Sequence, residues 1–250
     1  MVTLQVLALL VLSAFAAGLV DAIAGGGGLL TVPALLAAGL PPQIALATNK
    51  GQASFGAVSS FLSFWSRDGI DRQRAPYGFV CGFLGALAGA QVVLLVKPEP
   101  LKPIVVVLLI LAAVFVAWPR KPTRGQPHAW AMIALFPITF SLGFYDGFFG
   151  PGTGSMLIVA FVLVFGDTMT RASGNAKVVN LASNLAALAL FASRGVVLWK
   201  IALPMAAANA AGAFVGARLA VKKGDRFVRI VVLVVVAALV VKIVFDLVRR

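Results

Sequence analysis

Acidic residues, histidine and cysteine are all scarce in this sequence. Its 250 residues include 8 Asp and Glu against 21 Lys and Arg, with one His and one Cys. Cys81 alone excludes an internal disulfide bond and a thiolate metal cluster within one chain. His128 alone is too few ligands for a metal site. Because so few groups remain for acid–base or nucleophilic chemistry, we expect no enzyme, no cofactor and no bound metal.

Apolar residues, in contrast, dominate the composition. Hydrophobic residues make up 61% of the chain and charged residues 12%, and the mean hydropathy is +1.01. A water-soluble domain does not reach these values. Charge-free runs recur, for example at residues 1–20, 75–96 and 201–217, and about 20 apolar residues suffice to cross a bilayer as a helix. The composition predicts an all-α, polytopic membrane protein.

The net charge of +13 fits a membrane protein better than a nucleic-acid-binding protein. Basic residues concentrate in short connectors at 66–74, 119–124 and 222–226, as the positive-inside rule describes for cytoplasmic loops. The lipid bilayer is therefore an expected partner and nucleic acid is not. Tryptophan favours the lipid–water boundary, and all four tryptophans lie at the edges of apolar runs, with His128 beside one of them: Trp65, Trp118, Trp130 and Trp199.

The sequence contains an internal duplication. We therefore divide it into an N-terminal repeat (1–124) and a C-terminal repeat (125–250) of one integral membrane domain. Corresponding residues lie 127 positions apart, or 125 near the start of each half: Lys50 and Lys177, Phe64 and Phe191, Gly85 and Gly212, Asp21 and Asp146, Gly25 and Gly150.

Each half is predicted to contain five helical elements. In the first half they cover 4–20, 29–40, 44–65, 77–96 and 101–118, and in the second half 129–145, 155–165, 171–192, 197–220 and 227–248. The second element of each half is only about 18 Å long as a helix, too short to cross alone. Joined to the glycine-rich stretch before it, it would form one discontinuous span whose helix begins near mid-membrane. Irregular backbone at that depth must be buried in protein or line a wet cavity.

Two topologies are compatible with these elements. Five crossings per half make the halves inverted relative to each other, as in many secondary transporters, and we favour this arrangement. If the short elements are re-entrant, the protein has eight spans and two parallel four-helix repeats. The distribution of Lys and Arg does not separate the two, because it favours an outside N-terminus for ten crossings and an inside one for eight.

The glycine-rich breaks are candidate anion sites. Backbone N–H groups at a helix start are unpaired and face the positive end of the helix dipole, which together bind anions. No strand precedes the glycines and no Gly-Lys-Ser/Thr follows, so nucleotide-binding motifs do not apply. A purely structural role as a hinge or packing point is the alternative. The candidate residues are Gly25, Gly26, Gly27, Gly28, Gly150, Gly152, Thr153, Gly154 and Ser155.

Two lysines lie in the helices that follow the breaks. Lys50 and Lys177 occupy matching repeat positions. Because a lysine at the bilayer centre costs about 2.5 kcal/mol or more, such a residue usually faces a cavity, a partner or a pathway, although snorkelling to the interface is an alternative. Polar neighbours extend the candidate site, unless they only join helices by hydrogen bonds: Asn49, Gln52, Ser54, Asn175 and Asn180.

Two aspartates precede the breaks. Asp21 and Asp146 could cap helix ends, pair with the lysines or accept protons. Capping is the default role for an aspartate in this position. They are the candidate proton or counter-ion sites.

The segment DAIAGGGGLLTVPALLAAGLPPQIALATNK with FWSRDGID, and the second copy YDGFFGPGTGSMLIVAFVLVFG with NAKVVN, resemble the TauE/SafE family of sulfite exporters, also called the toluene sulfonate uptake permease family. The resemblance covers essentially the whole chain. It implies a multi-pass transporter of the bacterial inner membrane that exports sulfur-containing anions such as sulfite or organosulfonates. The second copy reads Asn175-Ala176-Lys177 instead of Asn-Lys, so the assignment of Lys177 depends on the repeat alignment.

Residues and resemblance together predict a secondary anion transporter. The anion would lie between the halves, and rocking of one half against the other would expose it to each face in turn. The alternatives are a carrier of another small anion, a cation transporter that uses Asp21 and Asp146, and a non-transporting scaffold. The sequence leaves the coupling ion open, and it leaves open whether copies associate into a homo-oligomer.

Overall fold

The structure, a computed structural model, describes residues 3–117 and 130–248, and its secondary structure in these ranges is helical. His128 and Trp118 lie outside the described residues. The described ranges contain nine helices: α1 (Leu4–Ala24), α2 (Gly28–Ala37), α3 (Pro42–Trp65), α4 (Ala75–Leu95), α5 (Pro98–Ala117), α6 (Ala131–Phe148), α7 (Thr153–Phe165), α8 (Met169–Ser193) and α9 (Trp199–Val248).

The protein is a multi-pass helical membrane protein. Five segments are long and apolar enough to cross a bilayer, namely α1, α4, α6, α8 and the part of α9 from Trp199 to Lys223. Large apolar side chains cover the outer surface, which is the surface that lipid would contact; Ile133, for example, is 75% exposed. Trp65 ends α3, and Trp130 and Trp199 stand at the starts of α6 and α9.

The short helix α2 turns back along α1. Gly27 lies against Ala17 and Asp21 of α1, and Leu10 and Leu35 belong to one apolar cluster. The two helices therefore form a hairpin, and α2 does not continue in the direction of α1 as the expected discontinuous span requires. The reason is the left-handed conformation of Gly25, with φ of +75°, which ends α1 and reverses the chain.

The second short helix, α7, turns back along α6 in the same way. Gly150 and Gly152 have positive φ values of +96° and +86°, and Leu135 near the start of α6 shares an apolar cluster with Phe161 near the end of α7. The end of α7 is thus level with the start of α6. Both short helices begin in the interior of the fold at a glycine break.

Helix α9 is longer than predicted. Two elements, 197–220 and 227–248, were expected in the second half, but the backbone from Trp199 to Val248 is one continuous helix. The expected connector, residues 222–226, contains no proline and only one glycine. A single glycine costs a helix about 1 kcal/mol, which does not suffice to interrupt it.

Glycines mediate the closest helix contacts. A Cβ atom added to Gly85 of α4 would lie 2.1 Å from the carbonyl oxygen of Phe140 in α6, and one added to Gly212 of α9 would lie 2.1 Å from that of Phe15 in α1. Gly212 lies 127 residues after Gly85, and Phe140 lies 125 residues after Phe15. The same contact therefore occurs twice. These glycines let the helix backbones approach each other closely.

The helices in these contacts run parallel. In α4 and α6, Gly82 lies against Gly143 and Gly89 against Phe144, so residue numbers rise together. Helices α1 and α9 also run parallel, since Asn209 bonds the carbonyl of Ala14 and Gly216 lies against Leu19. Each parallel pair joins a helix from the first half of the sequence to one from the second.

Helices α3 and α8 run antiparallel. Ser54 bonds the carbonyl of Asn184, whereas Phe64, further along α3, contacts Gly174, which is earlier in α8. Helix α3 is parallel to α9, as the contacts Thr48 to Leu198 and Ser59 to Ala210 show. Helix α8 is parallel to α4, since Asp71 bonds Asn175 and Gly82 contacts Val179. Helices α1, α3 and α9 thus point one way, and α4, α6 and α8 point the other way.

Candidate functional site

The two glycine breaks meet each other in the interior. The carbonyl oxygen of Gly25 accepts a hydrogen bond from the Ser155 N–H at 2.9 Å, and that of Ala24 accepts one from Ser155 Oγ at 2.7 Å. A Cβ on Gly25 would lie 2.2 Å from the backbone carbon of Gly154. Only glycine allows the two chain reversals to approach this closely.

A polar cavity of about 40 Å³, which opens towards solvent, surrounds this junction. Residues from α1, α3, α6, α8, α9 and both breaks line it. Twelve of the eighteen residues proposed from the sequence are among them: Asp21, Gly25, Gly27, Gly28, Asn49, Lys50, Gln52, Asp146, Gly150, Gly152, Gly154 and Asn180.

Each of the two lysines forms an ion pair with an aspartate of the other half. Lys50 Nζ lies 3.0 Å from Asp146 Oδ1, with both side chains at least 95% buried. Lys177 Nζ lies 2.8 Å from Asp21 Oδ2; the lysine is fully buried and the aspartate side chain is 30% exposed. Both aspartates pair with the lysines, and Asp21 Oδ1 also accepts a hydrogen bond at 3.3 Å from the N–H of Gly27, the residue before α2. Neither lysine snorkels.

Charges around the cavity nearly cancel. Each lysine is matched by one aspartate. The N-termini of α2 and α7 contribute about +0.5 of a charge each, and the C-termini of α1 and α6, which precede the same breaks, contribute about −0.5 each. The sum is close to zero. The cavity is therefore not the concentration of positive charge that two unpaired lysines would create; it is a neutral, polar chamber.

Comparison with known proteins identifies the family. A family model described as "Sulfite exporter TauE/SafE" matches residues 10–243. The chain belongs to the TauE/SafE sulfite exporter family. Membership of a transporter family implies a transport function rather than an enzymatic one.

Three bacterial relatives match the chain over nearly its full length. A "Probable membrane transporter protein" of Haemophilus influenzae is 37% identical over 97% of this chain and 96% of its own length. The "Probable membrane transporter protein ORF9" of a Sinorhizobium species is 38% identical over 97% and 94%. The "Probable membrane transporter protein YfcA" of Escherichia coli K12 is 36% identical over 98% and 92%. No solved structure matches the chain.

Backbone N–H groups at the breaks of this TauE/SafE member are only partly available to a ligand. Those of Gly25 and Gly27 donate to Asp21, and those of Gly150, Thr153 and Ser155 also donate within the protein. Three other glycines, Gly28, Gly152 and Gly154, line the cavity. Within residues 3–117 and 130–248, no backbone carbonyl accepts a hydrogen bond from their N–H groups.

Four proposed residues next to the cavity have local structural contacts instead. Ser54 Oγ bonds the carbonyl of Lys50 at 2.7 Å, Thr153 Oγ bonds that of Gly150 at 2.7 Å, and Ser155 bonds α1 as described. The carbonyl of Gly26 accepts from the Leu29 N–H within the first turn of α2. These contacts stabilise the breaks and the α3–α8 crossing.

Lys177 also lies outside the cavity lining. Besides its ion pair, its ammonium donates to the backbone carbonyl of Asp21. A cation at the C-terminus of a helix satisfies unpaired carbonyls and the negative end of the dipole. Lys177 therefore ties α8 to the end of α1, whereas Lys50 faces the cavity.

Asn175, the last of these residues, belongs to a separate polar network with residues of the connectors before α4 and α8. Its side chain accepts from the Asp71 N–H and donates to Asp167 Oδ2, both at 2.7 Å. Arg74 bonds Asp71 at 2.8 Å and Asp167 at 2.6 Å, and Arg171 reaches Asp71 at 3.2 Å. Burial alone would raise the pKa of Asp71, but the hydrogen bonds and charge of Arg74 outweigh it and lower that pKa.

Four residues line the cavity that were not among the candidates: Ala53, Ala57, Asn184 and Asn209. Ala53 and Ala57 are the repeat counterparts of Asn180 and Asn184, so the repeat held a signal for Ala53, whose counterpart Asn180 was a candidate. Asn209 is a single amide in an apolar stretch of α9. Its Nδ2 donates to the carbonyl of Ala14 at 3.0 Å, so it both joins α9 to α1 and lines the cavity.

Proposed function

We propose that this protein is a secondary transporter of small sulfur-containing anions, and that the cavity at the junction of the two breaks binds the anion. The single observation that supports this most is that one polar cavity collects both helix N-termini, Lys50 and four asparagines where two halves of the fold meet. The family name gives the substrate class. Bacterial relatives support an inner-membrane location.

Lys50 is the proposed contact for the anion charge. Its ammonium has three N–H donors, and among the described residues its ion-pair partner is Asp146. An anion that enters the cavity would bond the other donors or replace the carboxylate. A lysine suits a transporter because a point charge on a flexible stem binds without enclosing the ligand.

We also propose that the halves are inverted repeats. Under the sequence alignment, α1 corresponds to α6, α3 to α8 and α4 to α9. The contacts described above make each of these pairs antiparallel. If α1 and α2 form a re-entrant hairpin, the first half crosses the membrane an odd number of times through its three remaining helices, α3, α4 and α5. This combines the re-entrant segments of one expected topology with the inverted halves of the other.

Cysteine labelling tests the inversion. Arg67 and Arg194 are exposed repeat counterparts at the ends of α3 and α8. In a Cys81→Ser background, Arg67→Cys and Arg194→Cys are expected to react with a membrane-impermeant maleimide from opposite faces of the membrane. Labelling is measured in intact cells and in inverted vesicles. Reaction of both cysteines from the same face would show parallel halves.

Transport by purified protein in liposomes tests the function. Proteoliposomes loaded with sulfite are expected to exchange it for external radiolabelled sulfite, at least tenfold above protein-free liposomes. An excess of sulfite or of a small sulfonate outside should compete, and an equal concentration of potassium or sodium as the chloride should not. A protein that exchanges cations but no anion would instead support the alternative that uses Asp21 and Asp146, although both are engaged by lysines here.

A further inference from the structure

Gln52 has a hydrogen-bonding capacity that the protein does not use. The residue lines the cavity and is 1% exposed. Its Nε2 donates to Asn49 Oδ1 at 2.9 Å, whereas its Oε1 has no hydrogen-bond partner among the described residues. Buried side-chain acceptors in proteins are nearly always paired. An unpaired one in the wall of a binding cavity therefore indicates a donor that arrives with the ligand.

Thr31 determines which end of the Gln52 amide is free. Thr31 Oγ lies 2.6 Å from Asn49 Oδ1. This length is typical of an O–H···O bond and short for an N–H···O bond, so the hydroxyl donates and the Asn49 atom is the carbonyl oxygen. That oxygen can only accept, which requires Gln52 to turn its NH₂ group towards Asn49. The acceptor Oε1 is then the end that remains unpaired.

The second half lacks this arrangement. The counterparts of Asn49 and Gln52 are Ala176 and Val179, and Val179 packs against Gly82. The unpaired acceptor thus lies on the Lys50 side of the cavity alone. A ligand there meets a cation at Lys50 and an acceptor two residues along the same helix.

We propose that Gln52 is a specificity residue which accepts a hydrogen bond from the transported anion. This inference rests on the proposed function. The substrate class is then an anion that also carries a hydrogen-bond donor. A protonated oxyanion such as hydrogen sulfite and a hydroxyl- or amine-bearing sulfonate share this chemistry. A fully deprotonated oxyanion or a plain alkyl sulfonate would leave the Gln52 carbonyl buried and unpaired, which lowers its affinity.

A matched pair of competitors tests the proposal. In the sulfite-exchange assay, 2-hydroxyethanesulfonate and ethanesulfonate differ by one hydroxyl group. In a second arm, sulfite exchange is measured at pH values above and below that at which sulfite takes up its proton. Wild-type protein is expected to prefer the donor-bearing form by about tenfold in one arm or both; the arm that shows the preference identifies the source of the donor.

Two variants connect the preference to Gln52. Gln52→Met keeps the length and removes the acceptor, so the ratio of the two competitor affinities should fall towards one. Gln52→Glu keeps an acceptor and adds a negative charge, so both affinities should fall while the ratio persists. A ratio does not depend on how much of the protein is folded. A wild-type preference absent from both arms, or one unchanged in Gln52→Met, overturns the proposal, whereas wild-type protein without any sulfite exchange overturns the proposed function.

Discussion

Lys50→Met is expected to lower the free energy of unfolding by about 3–5 kcal/mol, because it leaves the Asp146 carboxylate buried without its cation. Asp146 is only 4% exposed, and among the described residues its carboxylate would keep the hydrogen bond from the Ser183 hydroxyl. Thermal unfolding of the purified protein in detergent measures the loss. An exposed lysine provides the control, and Lys97→Met should change stability by less than about 0.5 kcal/mol.

The double variant separates stability from transport. Lys50→Met with Asp146→Asn removes both charges of the pair, and replacing a buried ion pair as a whole is often nearly neutral for stability. The double variant should therefore regain most of the lost stability while sulfite exchange stays near background. Exchange at the wild-type rate in this variant would exclude Lys50 as a substrate contact. A single variant as stable as the wild type would show that the pair is not buried as described.

Gly25→Ala is the second change with a large expected effect. The added Cβ would lie 2.2 Å from the backbone of Gly154, at a residue with φ of +75°. Forcing a side chain into a packed interior costs about 1–3 kcal/mol, and a left-handed alanine costs about 1–2 kcal/mol. The two effects sum to about 2–5 kcal/mol, enough to prevent accumulation of a marginally stable protein.

Gly39→Ala is the matched control for this prediction. Gly39 has φ of +85°, and a Cβ there would meet nothing within 4 Å. It shares the backbone penalty and lacks the contact. Melting temperatures and yields of both variants should show a small loss for Gly39→Ala and a much larger one for Gly25→Ala. Equal losses would mean that backbone conformation alone, and not the junction of the breaks, requires glycine at position 25.

Much of the helical layout could be predicted from the sequence. Apolar runs, glycine breaks and tryptophans place the boundaries of most helices within a few residues, since length and hydropathy are local properties. The reversal of α2 could not be predicted, because a glycine with positive φ and a glycine in an extended span have the same sequence. The continuous α9 was missed for a related reason. The charged residues at 222–226 suggest a connector, but charged residues are also compatible with a helix.

The candidate site shows the same division. Repeat alignment indicated Lys50, Asp21 and Asp146 as residues of one site, because duplicated polar positions in apolar helices are costly. It could not indicate that each lysine pairs across the halves, which depends on how α1 and α6 pack against α8 and α3. Asn175 shares a helix with Asn180 but bonds Asp71 and does not line the cavity. Helical spacing alone does not say which of several faces meets the cavity.

The close packing of α1 on α9 has a consequence for biogenesis. Asn209 bonds a residue 195 positions earlier in the chain, so α1 is fully surrounded by protein only after α9 has been synthesised. Chain synthesis proceeds at about 5–20 residues per second, which leaves the first helix among lipids for at least about ten seconds. Neither half is a self-sufficient folding unit, and a chain divided between α5 and α6 would have to restore function by association of its two fragments.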